Sequence, residues 1–391
     1  MSNSLKYDIV IFGSGVAGCA TAIALINQDS KLKIAILERD IADSAKLRIG
    51  ETLPPQASQQ LQQLGIWDSF VSCNFLSSYG TSAAWGSSAL YTNEFIYSPF
   101  GYGWNLDRMV FDRLMADETK KRGVTFLYKT SCNQAIKNKA GWDLNCTSEQ
   151  HQLSITAKFV VDATGKKASF CSLRGVEKIQ HDQLVGIYRL YDLKENKTRP
   201  GIGKGTLIET DAFGWWYSAT IPDNKLVVGY MTDADIANNL QLRKLNELNN
   251  QLFKTNYTYQ RIQNTLAISQ PKIVAAHTQY LSAAVGNSWL AVGDAASSYD
   301  PVSSLGIFKS LAMSRFASYA ILNHLNGDLT GLKKYQQIIT DNFQSYQIKK
   351  QAYYNQENRF STQPFWIRRQ SRTANPQFKN QNIKNETQFF I

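Results

Sequence analysis

The run Tyr7-Asp8-Ile9-Val10-Ile11-Phe12, followed at once by Gly13-Ser14-Gly15-Val16-Ala17-Gly18 and an Ala-rich stretch to about Gln28, constrains this chain more than any other feature. A short apolar run bounded by glycine reads as a buried strand, and the Ala-rich stretch reads as a helix. Gly13 permits the tight turn, Gly15 lets backbone approach a pyrophosphate, and Gly18 lets the helix pack on the strand. Val16 and Ala17 open the helix, whose unpaired N–H groups favour an anion. A second apolar run, Lys33 to Leu37, ends in Glu38-Arg39. A carboxylate at that spacing accepts bonds from the two hydroxyls of an adenosine ribose. The unit predicts dinucleotide binding and leaves open whether the dinucleotide is NAD or FAD.

Composition sets the frame around that unit. A chain of 391 residues exceeds the roughly 250–300 at which single cores usually divide, so two joined domains are expected. Hydrophobic residues at 43% against 19% charged exclude a disordered or fibrous chain. The formal charge of +11 is concentrated late, with eight basic and two acidic residues from Lys349 onward. No nucleic-acid-binding signature accompanies it, so a solvated tail or a docking face is expected rather than a nucleic-acid site. Five scattered cysteines without a CxxC pair indicate neither zinc nor a disulfide framework, and no metal site is expected. With neither a signal-peptide pattern nor about 18 consecutive apolar residues, no membrane span and a cytoplasmic setting are expected.

Two later segments, Val160-Val161-Asp162-Ala163-Thr164-Gly165 and Leu290-Ala291-Val292-Gly293-Asp294, also run from strand to turn and can join the same parallel sheet. After the second comes Asp300-Pro301-Val302-Ser303-Ser304-Leu305-Gly306-Ile307 and an apolar-periodic helix to about Leu322. Pro301 pre-sets that turn, and the helix N-terminus aims a partial positive charge at whatever lies above it. Arg48-Ile49-Gly50-Glu51-Thr52-Leu53-Pro54-Pro55 and the segment Gly103 to Asp112, containing Arg108, complete the set. Together these motifs resemble the branch of flavin-dependent monooxygenases that includes the tryptophan halogenases. The resemblance implies FAD as cofactor, with Asp294 on the ribityl chain. It also implies Ala163, Gly165, Gly293, Pro301, Ser304, Gly306 and Ile307 along the cofactor, and Arg48, Gly50 and Arg108 facing it.

The middle of the chain reads differently. Val185–Tyr191, Gly205–Glu209, Trp215–Ile221 and Leu226–Met231 are strand-like, with Pro222-Asp223-Asn224 as a turn between the last two. The expected fold is α/β: a Rossmann-like FAD-binding domain with a parallel sheet (1–74, 104–175 and 286–330), an inserted antiparallel-β substrate domain (75–103 and 176–285), and C-terminal helices with a basic tail (331–391). Asp235 to Lys254 is expected as one amphipathic helix, and Tyr335 to Tyr354 carries another apolar stripe.

Halogenases of this branch carry a Trp-x-Trp-x-Ile-Pro signature and a lysine that handles hypohalous acid. Here Gly214-Trp215-Trp216-Tyr217-Ser218-Ala219-Thr220-Ile221-Pro222 departs from that spacing, and Ser77 to Ser87 contains no lysine. Trp85-Gly86-Ser87, Gly214 to Tyr217 and Pro364-Phe365-Trp366-Ile367-Arg368-Arg369 resemble a narrower group, flavoproteins that modify a precursor tryptophan during maturation of cysteine-tryptophylquinone glycine and lysine oxidases. That resemblance implies hydroxylation of a tryptophan in a precursor protein through reduced flavin and its C4a-hydroperoxide, with O2 and either NAD(P)H or a flavin reductase. Asp300, Pro301, His277 and Trp216 are the residues expected at the reacting centre. Two alternatives stand beside it: a halogenase or hydroxylase of a small aromatic metabolite, and a non-catalytic FAD-binding assembly factor.

Overall fold

The computed structural model describes residues 4–41, 51–149, 151–193 and 205–370. Its first sheet runs, in spatial order, Val285–Gly286, Trp289–Ala291, His151–Asp162, Leu5–Phe12, Ile34–Leu37 and Thr125–Leu127. All pairs among the last five strands are parallel, and Ile9 to Phe12 and Ile34 to Leu37 are buried, as expected for a sheet covered on both faces. In register, Leu37 lies beside Phe12, Phe12 beside Asp162 and Asp162 beside Ala291. The chain therefore leaves three neighbouring strands at one edge, through Gly13, Ala163 and Val292-Gly293, with Glu38 beside them. That carboxyl edge is where open parallel sheets place their ligands. An antiparallel hairpin, Thr130–Lys137 and Trp142–Ser148, extends the sheet from His151–Asp162.

The second sheet runs Leu266–Ala267, Leu184–Asp192, Lys225–Asp233, Gly214–Ile221, Thr206–Asp211, Gly80–Ala84 and Tyr91–Glu94, with Lys272–Ala275 also on Leu184–Asp192. It is antiparallel except where Thr206–Asp211 meets Gly80–Ala84 in parallel. The turn expected at Pro222-Asp223-Asn224 closes its central hairpin, with Asp223 and Asn224 both in the left-handed region. Such turns match the twist of the strands they join. Thr52–Leu53, Gly103–Asn105 and Leu76–Ser78 form a small sheet at the junction of the two halves.

The single helix expected over Asp235 to Lys254 is two, Ala234–Asn239 and Leu245–Leu252. Leu240 and Leu245 stand five residues apart, which breaks helical spacing, and Gln241 between them is left-handed. The helix Thr330–Tyr354 buries Tyr335, Ile339, Phe343, Tyr346, Lys350 and Tyr354 along one side. The short helix Pro364–Gln370 then seats Phe365 and Trp366, both fully buried, against the second sheet, and Trp366 Nε1 donates to Asp211 O at 2.8 Å. No described helix is long and apolar enough to cross a membrane.

Candidate active site

The glycine turn is built by close contacts. A Cβ on Gly13, whose φ is +99°, would lie 2.6 Å from the Ala163 carbonyl oxygen, and one on Gly18 would lie 2.0 Å from Gly13 O. Only glycine fits either position. Gly15 is different: nothing lies within 4 Å of its would-be Cβ, so its face is open. The helix Val16–Gln28 that follows has no side-chain cap, leaving its first N–H groups to an anion. Val16 and Ala17 are buried in its first turn.

Glu38 stands over this turn. Its Oε2 accepts from Ser14 N at 3.0 Å and Ser14 Oγ at 2.6 Å, and its Oε1 accepts from Asp40 N at 3.0 Å. A carboxylate is thus fixed beside the open glycine, where a ribose joined to a bound pyrophosphate would meet it. Arg39 is mostly exposed, with Asp40 3.9 Å away. Arg48 and Gly50 lie outside the described residues. Arg108 begins the helix Arg108–Lys121, which Asp107 caps, and its guanidinium bonds Asp112 at 3.2 Å.

The next strand end is braced by Asp162, which is fully buried and accepts from Thr164 N, Thr164 Oγ1 and Cys171 N. Those bonds shape the turn Ala163–Gly165, where Gly165 is left-handed with open space around it. At the third strand end Gly293, also left-handed, packs so tightly that a Cβ would meet Ala17 Cβ at 2.7 Å. That contact joins the two glycine turns. Asp294 follows, 38% exposed, with Lys309 Nζ 3.0 Å from its Oδ1.

Beyond it, Pro301–Ser303 forms one tight turn, Ser304 is left-handed at φ +50°, and the helix Gly306–Leu325 starts with open space at Gly306 and a buried Ile307. A cavity of about 220 Å³ opens there. Ser303, Ser304 and Leu305 form one wall, Thr52 and Pro55 another, and Thr81 and Asn93 of the second sheet, with Phe95 just after its edge strand, a third. The uncapped helix, the open glycines at 15 and 165, the carboxylate over the first turn and Asp294 follow the carboxyl ends of neighbouring parallel strands, and this donor set suits a flavin adenine dinucleotide.

The residues expected at the reacting centre sit less simply. Trp216 does not face the cavity. Along Gly214–Ile221 alternate residues point to opposite faces, and Trp216 lies on the far one, stacked on Tyr230 at 4.4 Å with Nε1 donating to Asp211. There it packs in the core of the second sheet, away from the cavity lining. Asp300 is fully buried, and its carboxylate turns toward the C-terminal helix: Oδ1 accepts from Val302 N, and Oδ2 accepts from Tyr354 OH with Lys350 Nζ 3.9 Å away. Burial pushes its pKa up. Asp300 supports the loop from beneath rather than touching the cavity, and Pro301 opens the tight turn that the carboxylate caps. His277 is half-buried beside Gln279 Oε1 at 3.0 Å, burial lowers its pKa, and it is not among the residues lining the cavity.

Two groups escaped the sequence reading. Glu51 is 2% exposed, and Tyr217 OH donates to its Oε2 at 3.1 Å. The same hydroxyl lies 3.2 Å from Oγ1 of Thr52, which lines the cavity. Parity with Trp215 is the only sequence signal for Tyr217. Lys309, which from sequence could be catalytic or lie on the surface of the following helix, is 7% exposed.

Comparison with known proteins gives the same picture. The family model described as an FAD binding domain matches residues 6–339. A Marinomonas mediterranea protein named FAD-dependent oxidoreductase LodB is 29% identical over 373 residues, covering 94% of this chain and 98% of that protein. The myxobacterial chondrochloren halogenase CndH shares the fold with a TM-score of 0.84 at 19% identity, covering 93% of this chain and 86% of that one. The peptidyl tryptophan dihydroxylase QhpG, essential for tryptophylquinone cofactor biogenesis, does so with a TM-score of 0.68 at 22% identity, covering 93% and 79%. This chain belongs to the FAD binding domain family and is a flavin-dependent oxidoreductase with FAD as its cofactor.

Proposed function

We propose that this enzyme hydroxylates a tryptophan side chain presented by a partner polypeptide, as a step in making a protein-derived quinone cofactor. The cavity carries the reading. At about 220 Å³ it is smaller than the roughly 300 Å³ at which pockets for whole drug-sized ligands begin, a size suited to one inserted side chain. Tyr97, 87% exposed, lines it, its chain neighbour Ile96 is exposed as well, and so is Tyr79, whose carbonyl accepts from Phe95 N; such apolar clusters suit a protein partner. Among the described residues no lysine lines it, which sets it apart from the hypohalous-acid chemistry of the halogenases. The likeness in fold to QhpG, a peptidyl tryptophan dihydroxylase, supports the same reading, and the likeness to LodB supports a flavin-dependent oxidoreductase.

In this proposal Gly13, Gly15, Gly18, Glu38, Gly165, Asp294, Ser304 and Gly306 hold FAD, which when reduced activates O2 to deliver oxygen to an electron-rich ring. A reductant, NAD(P)H or a flavin reductase, supplies the electrons. The rest falls to the chain. Pro55, Phe95 and Leu305 exclude water from the ring. An oxygenated indole must lose a ring proton to regain aromaticity, and Thr52 Oγ1 is placed to accept it, passing its own proton to Tyr217 O as Tyr217 passes one to Glu51. Positioned acid–base groups of this kind contribute on the order of 100-fold or more.

The test is aerobic incubation of the protein with FAD, a reductant and glycine or lysine oxidase precursors, read by intact mass. A gain of one or two oxygen atoms on tryptophan is expected. Oxygenation or halogenation of free indoles with an unmodified precursor would replace this reading by action on a small aromatic metabolite. Maturation supported by an Asp294→Ala protein that holds no flavin would point to a non-catalytic assembly factor.

A further inference from the structure

We propose that Lys309 is the positioning residue of Asp294, held behind the loop that carries Asp294 and Ser304, with Lys166 as a second cation nearby. The inference rests on Asp294 as the ribityl contact. Lys309 is the fourth residue of the helix Gly306–Leu325 and points inward. Its ammonium meets three acceptors at once: Asp294 Oδ1 at 3.0 Å, Ser297 O, and the face of the Tyr299 ring, whose centroid is 4.0 Å away. All three lie between the Gly293 turn and the Asp300 turn, so one side chain ties both flavin-facing segments from behind.

Packing alone does not account for this cation. Met313, Tyr335 and Ile339 share its surroundings, and an apolar side chain of equal length would suit them without an ammonium losing its water. Burial indeed lowers the Lys309 pKa, against the opposing pull of Asp294. What the cation does is engage one oxygen of Asp294. The other, Oδ2, has no hydrogen-bond partner among the described residues, on a side chain 38% exposed. A carboxylate pinned through Oδ1 presents Oδ2 in a fixed direction, which is what a hydroxyl-bearing chain requires of its acceptor.

Lys166 adds a second charge. It follows Gly165, and its Nζ donates to His277 O at 2.6 Å and Ser298 Oγ at 3.3 Å. Its charge acts on both Asp294 and Lys309. Of the acids nearby, Asp182 is paired with Lys350 and Asp300 is bonded to Tyr354. With Asp182 offset by Lys350, the Lys166 and Lys309 ammonium groups stand against Asp294 and Asp300, so losing the Lys309 charge tips the balance behind the loop toward negative, near a cofactor that becomes anionic on reduction.

The experiment strips FAD from the full-length protein, titrates it back by fluorescence, and measures the two-electron midpoint potential for wild type, Asp294→Asn, Lys309→Met and the double variant. Each single change is expected to weaken FAD binding about 10- to 100-fold, the scale of a bond to a charged group, and the double variant to match Asp294→Asn within about twofold. Lys309→Met is expected to lower the potential by about 30 mV, a tenfold change for two electrons, and Asp294→Asn to raise it. Normal binding and potential in Lys309→Met, or multiplied losses in the double variant, would overturn the proposal. Normal binding in Asp294→Asn would instead remove the ribityl assignment. Circular dichroism of the stripped proteins checks folding, and Lys309→Gln, neutral and hydrogen-bonding, replaces Lys309→Met in the same measurements if the latter does not fold.

Discussion

The two sheets serve the site by different means. The first presents backbone: strands end in glycine turns whose shape is set by what cannot be there, since a Cβ on Gly13, Gly18 or Gly293 would strike neighbouring atoms at 2.6, 2.0 and 2.7 Å. The second presents side chains, Thr81 from one strand and Tyr217 behind Thr52, selected by which face each residue happens to occupy. A backbone site tolerates no substitution at its glycines and little else is specified. A side-chain site can be re-aimed by one residue of register. That difference supports the proposal that the first half binds the cofactor and the second handles the substrate.

The backbone side of the comparison is most sharply tested by two glycines three residues apart. Gly18→Ala drives a methyl into Gly13 O, so the stripped protein is expected to lose about 3 kcal/mol or more in thermal unfolding and to bind no FAD. Gly15→Ala adds its methyl to open space at φ −70°, a conformation any residue adopts. The stripped protein should unfold within about 0.5 kcal/mol of wild type, while FAD affinity falls about 100-fold because the methyl occupies the pyrophosphate's approach. Equal effects of the two changes on stability, or tight FAD binding by Gly15→Ala, would break the distinction between a turn that glycine folds and a turn that glycine opens.

The side-chain half is tested by neighbours on opposite faces. Tyr217→Phe removes the bond to Glu51 and is expected to slow product formation about 10- to 100-fold in the mass assay, with FAD binding intact. Trp216→Phe leaves the buried Asp211 carboxylate short of a donor and should cost about 1–3 kcal/mol of stability without slowing the reaction. The opposite pattern would mean that the far face, with its stacked Trp216 and Tyr230, carries the chemistry after all.

The same asymmetry explains what could be read in advance. Glycine spacing reports a geometric necessity, so Gly13 to Gly18, Glu38 and the Gly293-Asp294 turn were visible as a set, as was the parallel sheet that aligns them. Strand parity was not visible in Gly214–Ile221 because all eight residues are buried. With helices and a second layer covering both faces, no polar alternation marks which side is which, and Trp215, Trp216 and Tyr217 look alike. Lys309 misled for a related reason. A lysine in a helix signals solvent by composition, and only the three acceptors gathered from distant segments make its burial tolerable. Asp300 is a third case: its position beside Pro301 marks the turn, but the direction of its carboxylate depends on Tyr354, fifty-four residues later.

Asp300 and Asp182 lie at the seam between the two halves, and their opposite displacements give the smallest and most specific test. Burial raises the Asp300 pKa despite Lys350, so the folded protein holds that proton more tightly than the unfolded chain. Its contribution is present in full below the ordinary carboxylate value and is lost as pH rises through the folded one. Burial also opposes ionisation of Asp182, but Lys350 and Arg369 outweigh it and hold that carboxyl well below the usual range. Its contribution is present above the ordinary value and is lost as pH falls. Urea unfolding of the stripped protein between pH 4 and 8 should therefore separate two asparagine variants. Asp300→Asn should gain on wild type as pH rises, by on the order of 1 kcal/mol, and Asp182→Asn should be least stable relative to wild type near neutrality, by about 1–3 kcal/mol. Parallel profiles would mean that the two carboxylates share one environment, and that the loop under the cavity is supported by the Lys350 charge rather than by the Tyr354 hydrogen bond.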